Sequence, residues 1–299
     1  MKALVLGGGS LKGAWQVGVV QAVLESGFVP EMVYGVSVGA LNASYIANEA
    51  GRQFIENKHI DWPQVSKKLI EFWIKNITQP SSIATMRSKL TLGFDTVMSR
   101  FDGLLDTTPL HTLMRQHLDE FILKNSPVKV KVGAVNILDT KMVYASPQEP
   151  YFLDYVLASS ALPPMMPAVH IGGDHRKVFV DGGLREVTPI RQAIEDGATD
   201  IVLVACHSRE APSNNTFYYR SLLKLVDRMN DMAVNQFENN EIDWAMSYTE
   251  KETLKGNPIS LKVIRPQESL ALDLLSFNQD DIASLIVQGF KAGFGVSYH

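Results

Sequence analysis

The sequence has 299 residues, 45% of them hydrophobic and 20% charged, with a net charge of −4. Those proportions exclude a disordered or fibrous chain and allow a large buried core, while the mildly acidic balance leaves no global basic field to hold nucleic acid. A lone cysteine, Cys206, rules out an intramolecular disulfide and predicts a reducing, cytoplasmic setting.

Residues 3–6 are a continuous apolar run ending in three glycines, the pattern of a buried parallel strand entering a tight turn. That run is too short for a secretory signal, and no apolar stretch along the chain reaches bilayer-spanning length, so a soluble protein is expected. Residues 13–26 carry apolar side chains at helical spacing and stop at Gly27. A second strand over 32–36 and an alanine-rich helix over 38–48 complete a strand–helix–strand–helix series. This is the signature of an α/β fold with three layers, a mostly parallel sheet flanked by helices.

Residues 52–126 read as a mainly helical insertion over that sheet. An amphipathic helix is expected over 67–77, and Asp106-Thr107-Thr108-Pro109 signals a helix start running to about 124. Between them, residues 83–101 mix Met86, Leu90 and Phe94 with Arg87, Lys89 and Arg100. A lid that docks on lipid and a plain helix covering the sheet both fit this stretch.

Strands return at 128–136 and 141–146, followed by a helix over 152–160 and the stiff turn Leu162-Pro163-Pro164-Met165-Met166-Pro167. A strand over 177–180 ends at Asp181-Gly182-Gly183. Beyond it come a helix over 189–196, a buried strand over 200–205 that places Cys206 in the core, a long helix from 216 to about 248, a strand over 259–264 and a helix over 280–292. With no repeat, low-complexity segment or linker, a single domain over 1–299 is expected.

Three glycine-bearing motifs carry the chemistry. Gly35-Val36-Ser37-Val38-Gly39 stands between an apolar strand and a helix, the context of a nucleophile elbow. There the serine hydroxyl projects above the sheet, and the amide of Val38 points where an oxyanion would form. Gly7-Gly8-Gly9-Ser10-Leu11-Lys12-Gly13 follows the first strand and opens a helix, so its amides can converge on a phosphate or a developing oxyanion. The dinucleotide fingerprint fails because Lys12 stands where the last glycine should be, and the P-loop fails because lysine precedes glycine. The third motif, Asp181-Gly182-Gly183, sits at a strand's C-terminal end, where parallel α/β folds gather ligands. None of the seven histidines has a catalytic neighbourhood; His207, just after a strand, is the best candidate for a hydrolase histidine. Histidine spacing and the single cysteine give no metal site.

Taken in order, these three motifs resemble the patatin-like phospholipases. The block Ala158-Ser159-Ser160-Ala161-Leu162-Pro163-Pro164-Met165-Met166-Pro167 is similar to the stretch that precedes the family's aspartate. The resemblance covers roughly residues 1–50 and 128–205. It implies a Ser–Asp dyad without histidine or cofactor, with Ser37 as nucleophile and Asp181 as base. The amides of Gly8, Gly9 and Ser10 would join Val38 as the oxyanion hole, with Lys12, Gly35, Gly39, Gly182 and Gly183 in support. The implied partner is a lipid or other acyl ester, met in transient contact with a membrane surface. The chain departs from the family in having Lys12 for its usual arginine, and Val187-Thr188-Pro189 where asparagine often precedes proline. A soluble ester or thioester substrate, or a non-enzymatic nucleotide or phosphate binder using the glycine loop, are the competing readings.

Overall fold

The computed structural model describes residues 1–88, 102–211, 222–270, 272, 274 and 276–294. In chain order the elements are β1 (Lys2–Leu6), α1 (Gly13–Glu25), β2 (Met32–Val36), α2 (Val38–Asn57), α3 (Trp62–Asn76), β3 (Thr85–Met86), β4 (Leu105–Asp106), α4 (Thr108–His117) and α5 (Glu120–Asn125). These are followed by β5 (Lys129–Asn136), β6 (Met142–Ala145), α6 (Phe152–Ser159), β7 (Val169–His170), β8 (Val178–Asp181), α7 (Ile190–Glu195), β9 (Asp200–Val204), α8 (Leu222–Leu254), β10 (Ser260–Ile264) and α9 (Gln279–Phe294).

The main sheet has the order β10-β9-β1-β2-β5-β8-β7, with β6 also on β5. From β10 to β5 every pairing is parallel. Successive residues of β1 explain the three layers. Leu4 and Leu6 join the core beneath α1, α2, α3 and α9, whereas Ala3 and Val5 join a second core beneath α7 and α8. Apolar residues on both faces of a strand are what a sheet covered by helices on both sides requires. Among the described residues no helix is long and apolar enough to cross a membrane.

Three expectations need correction. The helix expected over 38–48 continues to Asn57, so the inserted segment begins later than residue 52. The helix expected from 106 to 124 is two helices, because Asp119 leaves helical geometry and caps a new one, accepting from the amides of Phe121 and Ile122. Within the suspected lid over 83–101, Thr85 and Met86 are not helical but pair with Asp106 and Leu105 as the antiparallel ribbon β3–β4, and residues 89–101, with Leu90 and Phe94, lie outside the described residues, as do 216–221 ahead of α8.

The fourth difference bears on function. The strand ending at Asp181 is not a parallel one: β8 runs antiparallel to β5, pairing Asp181 with Ala134. Ala134 has Val143 of β6 on its other side, so β8 occupies the same edge of β5 as β2. The two strands run toward each other along that edge and stop at neighbouring β5 residues, Val36 opposite Gly133 and Asp181 opposite Ala134. Ser37 and Asp181 meet because two strands end head to head.

Candidate active site

Ser37 turns the corner from β2 into α2 with φ 56° and ψ −130°. A non-glycine residue in that region is strained by about 1–3 kcal/mol and persists only where its surroundings hold it. Here they do. The Ser37 amide donates to Ser159 Oγ at 2.9 Å, Ser159 Oγ donates to the Gly133 carbonyl at 2.6 Å, and Ser160 Oγ donates to the Ser37 carbonyl at 3.2 Å. Gly35 and Gly39 supply room. A Cβ on Gly35 would lie 2.6 Å from Ala40 Cα, and one on Gly39 would collide with the Leu6 carbonyl and stand 2.7 Å from that of Gly7. The Ala158–Ala161 stretch also fastens the partner, since the Asp181 amide donates to the Ala161 carbonyl at 3.0 Å.

Ser37 Oγ donates to Asp181 Oδ2 at 2.7 Å, and the Gly183 amide donates to the other oxygen at 2.7 Å. Gly182 packs against the Gly133 carbonyl. Asp181 is only 3% exposed, and burial pushes its carboxyl up from 3.8 to about 7, against the pull of the Gly183 and Ser37 hydrogen bonds. A carboxylate with that affinity for a proton, in contact with a serine hydroxyl, is equipped to act as a base near neutral pH.

The glycine loop yields to a full accounting of its polar groups. The Gly7 amide donates to the Val204 carbonyl at 3.0 Å, and the Gly7 carbonyl accepts from Gln16 Nε2 at 3.0 Å. The Gly8 amide donates to the Val187 carbonyl at 2.9 Å, and the Gly9 carbonyl accepts from Lys12 at 3.0 Å. Gly8, expected among the oxyanion donors, is therefore already engaged. Among the described residues, the amides of Gly9, Ser10 and Val38 have no protein acceptor. Behind the loop runs a buried chain in which Trp73 Nε1 donates to Asn42 Oδ1 at 2.8 Å and Asn42 Nδ2 to Gln16 Oε1 at 2.9 Å. Cys206 is buried under Gly9, and burial pushes its thiol up, away from thiolate chemistry. Lys12 Nζ lies 3.4 Å from Asp231 Oδ1.

Ser37, Asp181 and the loop line one cavity of about 890 Å³, within the size range of small-molecule sites. The inserted segment supplies an apolar wall of Phe72, Trp73, Ile77, Ile83, Leu110 and Met114, and α8 contributes Asp231 and Asn235. His207 also lines the cavity, with Nδ1 3.4 Å from Glu238 Oε2, but it is Asp181 that bonds the serine. Sequence reading missed Gln16, Asn42, Glu238 and Glu241 altogether. The signal was available in Gln16, a lone amide inside the apolar run Trp15–Val20.

A family model described as patatin-like phospholipase matches residues 4–194. The neuropathy target esterase sws of Drosophila melanogaster is 34% identical to this chain over 85 residues, and that of Drosophila persimilis matches over the same length. These matches span 28% of this chain and 6% of each relative. The crystal structure of VipD from Legionella pneumophila aligns over 98% of this chain and 66% of its own, with a TM-score of 0.44 and 14% identity.

Proposed function

Because this chain belongs to the patatin-like phospholipase family, we propose that it is a lipid acyl hydrolase working through an acyl-enzyme on Ser37. The observation that carries this reading is the 2.7 Å hydrogen bond from Ser37 Oγ to the buried Asp181 carboxylate, facing an apolar cavity. Asp181 Oδ2 takes the hydroxyl proton as Ser37 Oγ attacks the ester carbonyl, and the amides of Gly9, Ser10 and Val38 stabilise the oxyanion. The tetrahedral intermediate collapses, Asp181 returns the proton to the leaving alcohol, and a water activated by the same carboxylate releases the acid. The apolar wall suits an acyl chain better than a nucleotide, which supports a hydrolase over a phosphate binder.

Treatment with a fluorophosphonate, followed by intact-mass and peptide analysis, tests the nucleophile. One adduct on the Ser37 peptide, absent from Ser37→Ala, is expected; folded wild-type protein that takes no label would sink the reading. The acyl assignment has its own check in Met114→Trp, which fills the apolar wall. Each methylene the site no longer buries costs about 0.8 kcal/mol, roughly fourfold in kcat/KM, so preference should move to shorter chains. An unaltered chain-length profile would place the acyl group elsewhere. Running the series above and below the micellar concentration separates a lipid-surface substrate from a soluble ester.

A further inference from the structure

The oxyanion loop does not hold itself in place. Its Gly8 amide is held by the Val187 carbonyl at 2.9 Å, and the other side of that residue is held by α8. The Val187 amide donates to Glu241 Oε1 at 3.0 Å, while the Thr188 amide and Thr188 Oγ1 both donate to Glu241 Oε2 at 2.7 Å. One carboxylate thus takes three hydrogen bonds from two consecutive residues. Burial lifts this carboxyl to about 7 despite those three donors, so its position is costly and needs a return. One turn earlier on the same helix, the buried Glu238 accepts from the amides of Cys206 at 3.3 Å and His207 at 3.1 Å, and Cys206 is the residue against which Gly9 packs.

The loop stands close to the serine: a Cβ on Gly8 would lie 3.1 Å from Ser37 Cβ. A loop released from Val187 can shift and carry the Gly9 and Ser10 amides off the oxyanion. Displacements of about 1 Å at a reacting centre cost on the order of 100-fold in rate.

We propose that Glu241 is a positioning residue for the oxyanion hole, acting through Val187 on Gly8 to set where the Gly9 and Ser10 amides point. The inference rests on the hydrolase reading and deepens it: Glu241 does not line the cavity and touches neither substrate nor Ser37. A Gln at this position keeps the shape but turns one acceptor oxygen into a donor facing donors, which loosens Val187 while leaving the acyl and alcohol walls intact.

The test is steady-state hydrolysis of a short-chain nitrophenyl ester together with the rate of fluorophosphonate labelling, on full-length wild type, Glu241→Gln and Thr188→Val. Glu241→Gln is expected to lower kcat about 10- to 100-fold with KM within twofold. Labelling should slow in step, because the tetrahedral phosphorus oxygen uses the same amides. Thr188→Val, which removes one of the three bonds and leaves both backbone amides held, should lose less than threefold. If Glu241→Gln does not fold, Glu241→Asp carries the same comparison, its shorter carboxylate withdrawing from Val187. Wild-type protein without label overturns the hydrolase reading and this inference together. A labelled wild type beside a folded Glu241→Gln with unchanged kcat and labelling rate, or with a change in KM alone, overturns this inference only.

Discussion

Asp181→Asn should lower kcat/KM for ester hydrolysis by about 10²- to 10⁴-fold, the usual worth of a positioned general base, while making the protein more stable. The carboxylate has a folded pKa raised from 3.8 to about 7 by burial. Its contribution to stability is therefore full below about pH 4 and is lost as the pH rises through about 7, where the buried group must ionise. At about 1.4 kcal/mol for each pH unit separating the unfolded and folded values, the cost above pH 7 approaches about 4 kcal/mol at most. Asparagine removes it and keeps both hydrogen bonds, with its carbonyl accepting from Gly183 and its amide donating to Ser37 Oγ. Denaturant melts at pH 8.5 and pH 4.5 should give a gain for the variant at the higher pH that shrinks to about 1 kcal/mol at the lower. The catalytic sign is the opposite one, because the base must be ionised. Wild-type kcat/KM should climb tenfold per unit below about pH 7 and level off above it, and the residual activity of Asp181→Asn should lack that limb. A wild-type profile flat from pH 5 to 8, or a variant no more stable at pH 8.5, would remove Asp181 from the role of base.

Gly39→Ala is expected to cost at least about 3 kcal/mol of stability and to leave labelling of the folded fraction more than 100-fold slower. The methyl group would meet backbone on both sides: the Leu6 carbonyl, and that of Gly7 at 2.7 Å. Neither can yield cheaply. Leu6 belongs to a strand paired on both edges, and Gly7 is tied through its amide to Val204 and through its carbonyl to Gln16. The added carbon therefore pushes apart the elbow and the glycine loop, the two parts whose separation would set the geometry of the proposed reaction. Thermal melts and label kinetics on the soluble fraction measure both effects. A variant with the wild-type midpoint and labelling rate would mean that α2 can slide away from β1, contrary to that packing.

The parts of this site that sequence could reveal are those built from local rules. Gly35-Val36-Ser37-Val38-Gly39 announces itself because a strand-to-helix corner with a serine at its tip needs glycine where Leu6 and Ala40 approach. Asp181-Gly182-Gly183 was legible as a motif at the end of a strand, and that strand is β8, but its direction was not legible: β8 runs antiparallel to β5. Strand direction is decided by pairing partners far away in sequence, which a local pattern does not carry. The same limit hid the state of Gly8. Its amide looks as available as those of Gly9 and Ser10 until the Val187 carbonyl arrives from far downstream. Glu238 and Glu241 were invisible for a related reason: on the 33-residue α8 they read as ordinary solvated charges, and only the tertiary fold turns them inward. Helix boundaries failed where a single side chain overrode the periodicity, as Asp119 does between α4 and α5.

The head-to-head arrangement of β2 and β8 has a consequence for how the protein folds. The two side chains that meet across it are 144 residues apart in sequence, and their contact exists only once β5 has gathered both strands onto one edge. Contacts of such long range close late, after the loop entropy of the intervening chain has been overcome. Reactivity at Ser37 is thus a readout of the assembled centre of the sheet, and during refolding it should return after helical signal does, marking the moment at which the two halves of the chain are joined.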